Sequence, residues 1–303
     1  MSIPGEEVIA WVRSQWTDAP AGSPAYAWEA AGWGSALDLY QWARKAQFVD
    51  VAGKASPIRR ELVSRWLRED PPPPPFAPGR HDIRLTDEPP RGLPDLRDAA
   101  LARRTTRKFD PAGSSIGELS WTLRNGLAEV RRIRRIARAG WEADNPLAAL
   151  VSFGACIETY VITFRVAGLD SGVYHYDIDG HALARVAGGD LRKDLMSWLQ
   201  GQVAPMTAAW TIVLVGDYGG YQWRYRHDRA LLNLHIEAGR IGQWLTMAGC
   251  EQGLQALPTP AFIDSKLAAA LRLPGLDRAG PIHSLTMGHP HPTTPQPTRA
   301  PGA

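Results

Sequence analysis

The chain of 303 residues is poor in the features that mark membrane, secreted and cysteine-rich proteins. No apolar run approaches the ~20 residues that a membrane-spanning helix needs. The only two cysteines, Cys156 and Cys250, lie in apolar surroundings, which excludes a disulfide scaffold and a multi-cysteine zinc site. The N-terminus lacks a basic region followed by an apolar one. We therefore expect a soluble, cytoplasmic protein without a membrane segment.

The sequence also lacks a strong excess of charge of either sign. Its 34 lysines and arginines face 31 aspartates and glutamates, which leaves a net charge of +3. This balance argues against a general nucleic-acid-binding protein. The densest charge is the run RRIRRIAR at residues 131–138. It suits either a phosphate-binding patch or a solvated amphipathic turn, and the pattern favours the turn.

Tryptophan and proline, in contrast, are plentiful and unevenly placed. Six of the 12 tryptophans fall before residue 70, where apolar residues at helical spacing predict three short helices. Five consecutive prolines, residues 71–75, then predict an extended and semi-rigid spacer. We predict a helical extension over residues 1–70, a proline-rich linker over 71–95, a main domain over 96–289 and a disordered tail over 290–303.

The main domain mixes helical and strand patterns without a regular β–α–β repeat, which indicates the α+β class. Ser115 with Glu118 forms a capping-box signal for a helix that reaches about residue 128. Other patterns predict strands at 159–166, 172–177, 181–186, 210–215 and 282–287 and helices at 228–250 and 264–271. Because the helix at 228–250 is apolar nearly all round, we expect it to thread a core or lie in a dimer interface.

Residues 103–109, RRTTRKF, combine guanidinium groups with hydroxyl groups. Guanidinium groups offer a planar donor fork to phosphate oxygens, and a threonine hydroxyl adds a further hydrogen bond. On an extended segment alternate residues point the same way, so Arg103, Thr105 and Arg107 can converge on one anion. Taken alone, this segment fits a phosphate site or an ordinary surface cluster of arginines.

Several stretches, in this order along the chain, carry a family resemblance. They are residues 103–109, SFG at 152–154, GLDSGVYHY at 168–176, EAGRIGQ at 237–243, GL at 253–254, AFID at 261–264 and MG at 287–288. Over about residues 97–290 the chain resembles the flavin-dependent nitroreductase fold. Within that fold it resembles the azoline dehydrogenases of azole-containing peptide biosynthesis.

The resemblance implies a dimeric fold with a central, mostly antiparallel sheet flanked by helices, and one FMN between two subunits at each of two sites. Four residues would hold the FMN phosphate and ribityl groups: Arg103, Arg104, Thr105 and Arg107. Six others would lie around the isoalloxazine ring: Ser152, Phe153 and Gly154 from the partner subunit, and Gln243, Pro260 and Ala261. FMN is thus the expected cofactor.

The sequence departs from the family pattern at two places near the expected flavin. Pro260 has no backbone N–H, so only Ala261 is left to donate beside the flavin N5. The family's Trp-Lys-Tyr is replaced by Trp223-Arg224-Tyr225, and an arginine remains a cation and is a poor base. We therefore assign charge stabilisation to Arg224 and proton transfer to Tyr225. The alternative is that both residues only brace the start of the long helix.

The resemblance implies FMN-dependent oxidation of azoline rings, with thiazolines favoured, to azoles in a ribosomally made peptide such as a thiopeptide precursor. The expected partners are a second copy of the chain, the modified peptide and possibly a cyclodehydratase. An NAD(P)H-dependent nitroreductase or another flavin reductase acting on a small molecule is the alternative enzyme, and a peptide-binding module is the non-enzymatic alternative. No metal site is expected, because His283, His289 and His291 have no cysteine or acidic cluster beside them.

Overall fold

The computed structural model describes residues 28, 30–44, 55–74, 83–90, 92–151 and 153–293. A seven-stranded sheet, whose strand pairs are all antiparallel, organises the main domain in the order β1-β6-β5-β3-β7-β9-β8. The strands are β1 Ile83–Arg84, β2 Ser114–Ser115, β3 Ile157–Thr163, β4 Val166–Ala167, β5 Gly172–Asp177, β6 Ala182–Gly188, β7 Trp210–Asp217, β8 Gln255–Thr259 and β9 Ala279–Gly288. The short strands β2 and β4 form a separate parallel pair. The predicted α+β class is confirmed.

Helices cover both faces of this sheet. They are α1 Gly34–Arg44, α2 Ala55–Glu69, α3 Leu96–Ala102, α4 Ile116–Gly126, α5 Ala128–Glu142, α6 Arg192–Trp198, α7 Tyr218–Arg224, α8 Ala230–Cys250 and α9 Asp264–Ala270. Short 3-10 helices lie at Pro146–Leu150 and Ala204–Met206. Among the described helices, none has the length and apolar composition needed to cross a membrane.

The core consists of two apolar layers, one on each face of the sheet. Successive side chains of a strand point to opposite faces, and β7 shows this alternation clearly. Ile212 and Leu214 pack in the layer that contains residues of α4 and α8, whereas Val213 and Val215 pack in the layer that contains residues of α6 and α9. Burial on both faces explains the continuous apolar run from which β7 was predicted.

Helix α8 is 21 residues long and packs against α4 and against strands β7 to β9. Its buried stripe contains Leu234, Ala238, Ile241 and Leu245, at the spacing expected for one helix face. The opposite face is open: Ile236 is 62% exposed. The predicted burial of this helix is confirmed for one face within a single chain. Burial of the other face in a dimer interface stays a prediction.

Several elements differ from the sequence-based expectations. The basic run 131–138 is part of the helix α5, in which Arg132, Arg135 and Arg138 are exposed, as the expected solvated amphipathic segment requires. Arg131 differs from this expectation, because it is 8% exposed and donates to the carbonyl of Ile178 at 2.9 Å. Arg134 also points inward and pairs with Glu158 at 3.2 Å. A buried guanidinium with internal partners is not available to a phosphate ligand.

The short elements α3, α6, α7 and β8 were not predicted, because each is too short to show a period. Pro258 also weakens the strand pattern of β8, yet it is tolerated because β8 is the edge strand of the sheet. The helix expected near residues 8–16 and the tail from residue 294 onward lie outside the described residues.

The predicted capping box at the start of α4 is present and includes an ion pair. The Ser115 Oγ accepts from the Glu118 N–H, and a carboxylate oxygen of Glu118 accepts from the Ser115 N–H at 2.7 Å. The other carboxylate oxygen lies 2.7 Å from Nε2 of His289. Burial alone would raise the pKa of Glu118, but hydrogen bonds from His289 and Ser115 lower it to about 2. The same hydrogen bond raises the pKa of His289.

We predict that Glu118→Gln destabilises the protein in a defined pH window. A lowered carboxylate pKa stabilises the fold above pH 4.5 and loses this effect as the pH falls toward 2. A raised histidine pKa stabilises the fold below pH 6.5 and loses this effect at higher pH. Glutamine retains the capping box, so the loss in unfolding free energy should be about 1 kcal/mol near pH 5.5 and smaller near pH 9.

Urea unfolding at the two pH values measures this difference. Glu61→Gln, which removes the same charge from an exposed position of α2, is the matched control and should change stability little at either pH. An equal loss at both pH values in Glu118→Gln would contradict the pairing with His289.

Candidate functional site

The predicted phosphate segment, residues 103–109, lies beside the edge strand β8. Thr105 forms an isolated parallel bridge with Ala256, and the Thr106 N–H donates to the carbonyl of Ala256 at 3.2 Å. The side chain of Gln255 fixes the start of the segment, because its Oε1 accepts from the Arg104 N–H at 2.6 Å. The segment is therefore held in place by backbone and amide contacts, and these contacts do not use the side chains of Arg103, Thr105 and Arg107.

The side chains of this segment form an uncompensated cationic cluster. Arg104, Thr105 and Arg107 are exposed, and Arg103 is half-buried. Within the described part of the chain, no carboxylate forms a salt bridge with any of the three arginines. Arg104 turns back so that its Nη1 donates to the carbonyls of Leu101 and Arg103, both at 2.8 Å. Three cations without an internal counter-ion are suited to a dianionic phosphate.

The predicted N5-facing residues, Pro260 and Ala261, directly follow β8 and are exposed. The Ala261 N–H donates to the Thr259 Oγ1 at 3.0 Å. The Ala261 N–H could therefore donate to a ligand only if this hydrogen bond opened or were shared. From Ala256, which pairs with Thr105, to the end of β8 at Thr259 the strand spans ~10 Å at ~3.3 Å per residue, which separates the cationic cluster from this loop.

A second group of predicted residues surrounds the first half of α8. The N–H of Gly154 donates to one oxygen of Glu237 at 3.0 Å, and the Tyr221 hydroxyl donates to the other at 2.8 Å. The Arg240 guanidinium lies 4.4 Å from the centre of the Phe153 ring. Ser152 lies outside the described residues.

Glycine is required at position 154 for two reasons. Its φ is +68°, in the left-handed region, and a Cβ there would lie 2.7 Å from the side chain of Val130. The tight approach of this loop to α5 places the Gly154 N–H opposite Glu237.

Arg224 and Tyr225, the predicted catalytic pair, lie at the end of α7 beside this second group. The Arg224 Nη1 donates to the Sγ of Cys156 and to the carbonyl of Gly220, both at 3.0 Å, while its Nε is buried without a hydrogen-bond partner among the described residues. The rings of Tyr225 and Tyr221 are 4.8 Å apart. Tyr225 thus contacts the ring of the tyrosine whose hydroxyl donates to Glu237.

Burial raises the pKa of three side chains here, Glu237, Tyr221 and Cys156, and so favours their protonated forms. Burial raises the pKa of Glu237, although the hydrogen bonds from Gly154 and Tyr221 oppose the effect. Burial and the neighbouring Glu237 raise the pKa of Tyr221. Burial raises the pKa of Cys156 to about 12, although Arg224 opposes it, so this thiol is neutral and is not a nucleophile.

Within one chain the cationic cluster lies near the C-terminal end of α8, whereas the Glu237 group lies beside the first half of this helix. Glu237 and Cys250 are thirteen residues apart on this helix, which is ~20 Å at ~1.5 Å per residue. Cys250 packs with Met247 and with Ala99 of α3, the helix that leads into the cationic cluster. Gln243 is exposed between the two ends. A single chain therefore brings together the residues of each group but does not unite the two groups.

Glu237, Tyr221, Cys156 and Arg240 were not predicted as site residues from the sequence. Glu237 and Arg240 belong to the stretch EAGRIGQ that carries the family resemblance, but no role was assigned to either. Glu237 is the one carboxylate on α8, and this is the signal that could have identified it, because a charge on a largely buried helix needs partners.

Comparisons with known proteins support the fold. No family model matches the chain. It is 29% identical over 178 residues to TfxC, a trifolitoxin operon protein of Rhizobium leguminosarum bv. trifolii, covering 57% of this chain and 50% of that protein. It is 25% identical over 188 residues to a Methanocaldococcus jannaschii protein named "Putative nitroreductase MJ1384", covering 60% and 88%.

Two solved structures, each named a "putative nitroreductase", share the fold. The structure from Anabaena variabilis has a TM-score of 0.54 and 25% identity, and it covers 65% of this chain and 38% of its own. The structure from Ralstonia eutropha has a TM-score of 0.51 and 20% identity, and it covers 72% and 94%. The resemblance to the nitroreductase fold is confirmed. The chain spans only half of TfxC and less than half of the Anabaena protein.

Proposed function

We propose that this chain is an FMN-dependent oxidoreductase that converts azoline rings, with thiazolines favoured, to azoles in a ribosomally made peptide. The observation that carries the proposal is the uncompensated arginine cluster at residues 103–107 on a nitroreductase fold. The relative named as a nitroreductase supports an oxidoreductase. The similarity to a trifolitoxin operon protein supports a role in peptide modification.

The residues present fit FMN at its anionic end. Arg103, Arg104 and Arg107 have no described carboxylate partner, and Thr105 adds an exposed hydroxyl beside them. These four residues would hold the phosphate and ribityl groups. When bound, FMN supplies the acceptor for the hydride that leaves the azoline ring.

The protein's own contribution is to orient the ring and to remove one proton. Aromatisation of an azoline removes a proton from the carbon that was the peptide α-carbon and a hydride from the neighbouring ring carbon. We assign the removal of this proton to Tyr225 in its phenolate form, because a neutral phenol is not a base; its ring lies beside Tyr221, which donates to Glu237. Arg224, held by Cys156 and Gly220, places a fixed cation where negative charge develops.

We further propose that the functional unit is a homodimer with two sites. Within one chain the cationic cluster lies near the C-terminal end of α8 and the Phe153–Gly154 loop lies beside its first half. Neither group of residues is therefore a complete FMN site by itself. Ile236 and Trp244 are 62% and 50% exposed on the open face of this helix between the two ends. Pairing of two such faces would bury them and would join the ends of different chains.

A nitroreductase that uses NAD(P)H is the alternative enzyme, supported by the name of the Methanocaldococcus relative. Rapid reduction of the flavin by NAD(P)H would favour it, whereas reduction by an azoline peptide favours the dehydrogenase. A peptide-binding module would be colourless and would not take up FMN.

We also propose that the protein acts in the cytoplasm and that a cyclodehydratase is its candidate partner.

The first prediction of this proposal concerns cofactor binding. Each charge-assisted contact to phosphate contributes about 1.5–3 kcal/mol, so Arg103→Ala/Arg107→Ala should weaken FMN binding at least about 100-fold. Gel filtration followed by flavin absorption should show apo-protein. The control Arg97→Ala/Arg135→Ala removes two exposed charges elsewhere and should retain the flavin. A yellow, stoichiometric Arg103/Arg107 variant would refute the assignment.

The second prediction concerns assembly. Ile236→Asp/Trp244→Asp places two carboxylates on the open face of α8 and should convert the dimer to a monomer that has lost most of its flavin. Sedimentation velocity with detection at the flavin absorption band measures both effects. Ile136→Asp, at an isoleucine of α5 that is 47% exposed, is the control and should remain dimeric. A wild-type monomer that is fully loaded with flavin would exclude the shared site.

The third prediction concerns the reaction. Incubation with an azoline peptide should remove about 2 Da per ring, because two hydrogens are transferred, and mass spectrometry measures the loss. Arg224→Ala/Tyr225→Phe should bind FMN and react much more slowly. Undiminished activity of this variant would remove both residues from the mechanism. No mass loss with any azoline peptide, together with rapid NAD(P)H oxidation, would exclude the dehydrogenase.

A further inference from the structure

One residue of the N-terminal region contacts both neighbours of the predicted catalytic pair. The backbone carbonyl of Asp70 accepts from the Trp223 Nε1, and its carboxylate accepts from the Arg226 guanidinium at 2.8 Å. Trp223 and Arg226 immediately flank Arg224 and Tyr225 in the sequence. The position of the pair is therefore bounded on both sides by contacts to Asp70.

Aromatic packing reinforces these two hydrogen bonds. The rings of Trp66 and Trp223 meet edge to face at 6.5 Å, and the Arg226 guanidinium lies 4.3 Å from the centre of the Trp66 ring. Trp223 is only 6% exposed and shares a small apolar cluster with Val63 and Ala149. Arg226 therefore bridges the carboxylate and the tryptophan of the same N-terminal segment.

The same segment also reaches the other end of α7. The carbonyl of Pro74 accepts from the Arg278 guanidinium at 2.7 Å, and Arg278 forms a salt bridge with Asp217. Asp217 is the N-cap of α7 and accepts from the Gly220 N–H at 3.0 Å. Residues 66–74 thus contact the C-terminal end of α7 directly and its N-cap through Arg278.

A helix of seven residues needs such external support, since isolated helices of this length are unstable in water. We propose that residues 66–74 form a positioning element that holds α7, and with it Arg224 and Tyr225, in the orientation needed for proton transfer. Trp66 and Asp70 are positioning residues in this proposal, which rests on the proposed function. Small displacements of a reacting group reduce rates strongly, so loosening α7 slows the chemical step.

The test uses the full-length holoenzyme and the variant Trp66→Leu/Asp70→Asn. Amide hydrogen exchange read by mass spectrometry over residues 218–229 should become roughly tenfold faster, the size expected from losing one aromatic pair and one cation–π contact. FMN content should be unchanged, because Trp66 and Asp70 contact Trp223 and Arg226 and not the arginine cluster. With an azoline peptide, kcat should fall roughly tenfold while KM stays within about twofold.

Glu69→Gln is the matched control, because it removes the same charge one residue away. Among the described residues, the ion pair of Glu69 is with Arg65 on the exposed face of α2, at 4.0 Å. Its exchange, kcat and KM should equal those of the wild type. Asp70→Asn alone retains Trp66 and the backbone acceptor, so it should change exchange and kcat in the same direction as the double variant but less.

The outcomes separate this inference from the proposed function. Unchanged exchange at 218–229 together with unchanged kcat would overturn the positioning role. Equal acceleration over 255–259, or loss of FMN, would overturn it as well, since it would reveal a general loss of stability. Local acceleration in a protein whose wild type oxidises no azoline would support the hold on α7 and overturn only the proposed substrate.

Discussion

The Glu237 carboxylate holds together the residues around the first half of α8, and their geometry depends on it. It lies half-buried on α8 and accepts from both the Gly154 N–H and the Tyr221 hydroxyl. The loop that carries Phe153 and the helix that carries Arg224 therefore share one anchor. Burial raises the pKa of this carboxylate, so its charge depends on those two donors. Removal of either donor would release a segment and leave a buried acceptor unsatisfied.

The two-faced character of α8 determines how the remaining site is completed. Its buried stripe fixes the helix against the sheet, and its length places the cationic cluster beside its C-terminal end and the Glu237 group beside its first half. Ile236 and Trp244 are exposed on its open face. About 20 Å of α8 separates the two groups within one chain, which supports the proposed assembly of each site from two chains.

Periodicity in the sequence predicts the long elements and misses the short ones. Strand β7 and helices α4 and α8 follow from their apolar patterns and from the Ser115 capping signal. The short elements α3, α6, α7 and β8 show no such pattern, although α9, which is also seven residues long, was predicted over 264–271. Strand β8 is defined by its pairing with β9 rather than by a pattern of its own. The phosphate segment follows from its composition and from the family resemblance. Glu237 does not, since its role depends on contacts with residues 154 and 221, which are distant in sequence.

The buried arginine of α5 shows how such distant contacts also anchor the N-terminal region. The carbonyl of Thr86 lies 3.0 Å from Nε2 of His181 and can only accept, so the ring carries its proton on Nε2. Nδ1 of the neutral ring then accepts from the Tyr176 hydroxyl at 2.7 Å, and this hydroxyl in turn accepts from Arg131 at 3.1 Å. Burial lowers the pKa of His181, which keeps the ring neutral, as this order of donors requires. Thr86 and Asp70 are thus two of the residues before α3 that are bound to the rest of the chain, and of these two only Asp70 adjoins the predicted catalytic pair.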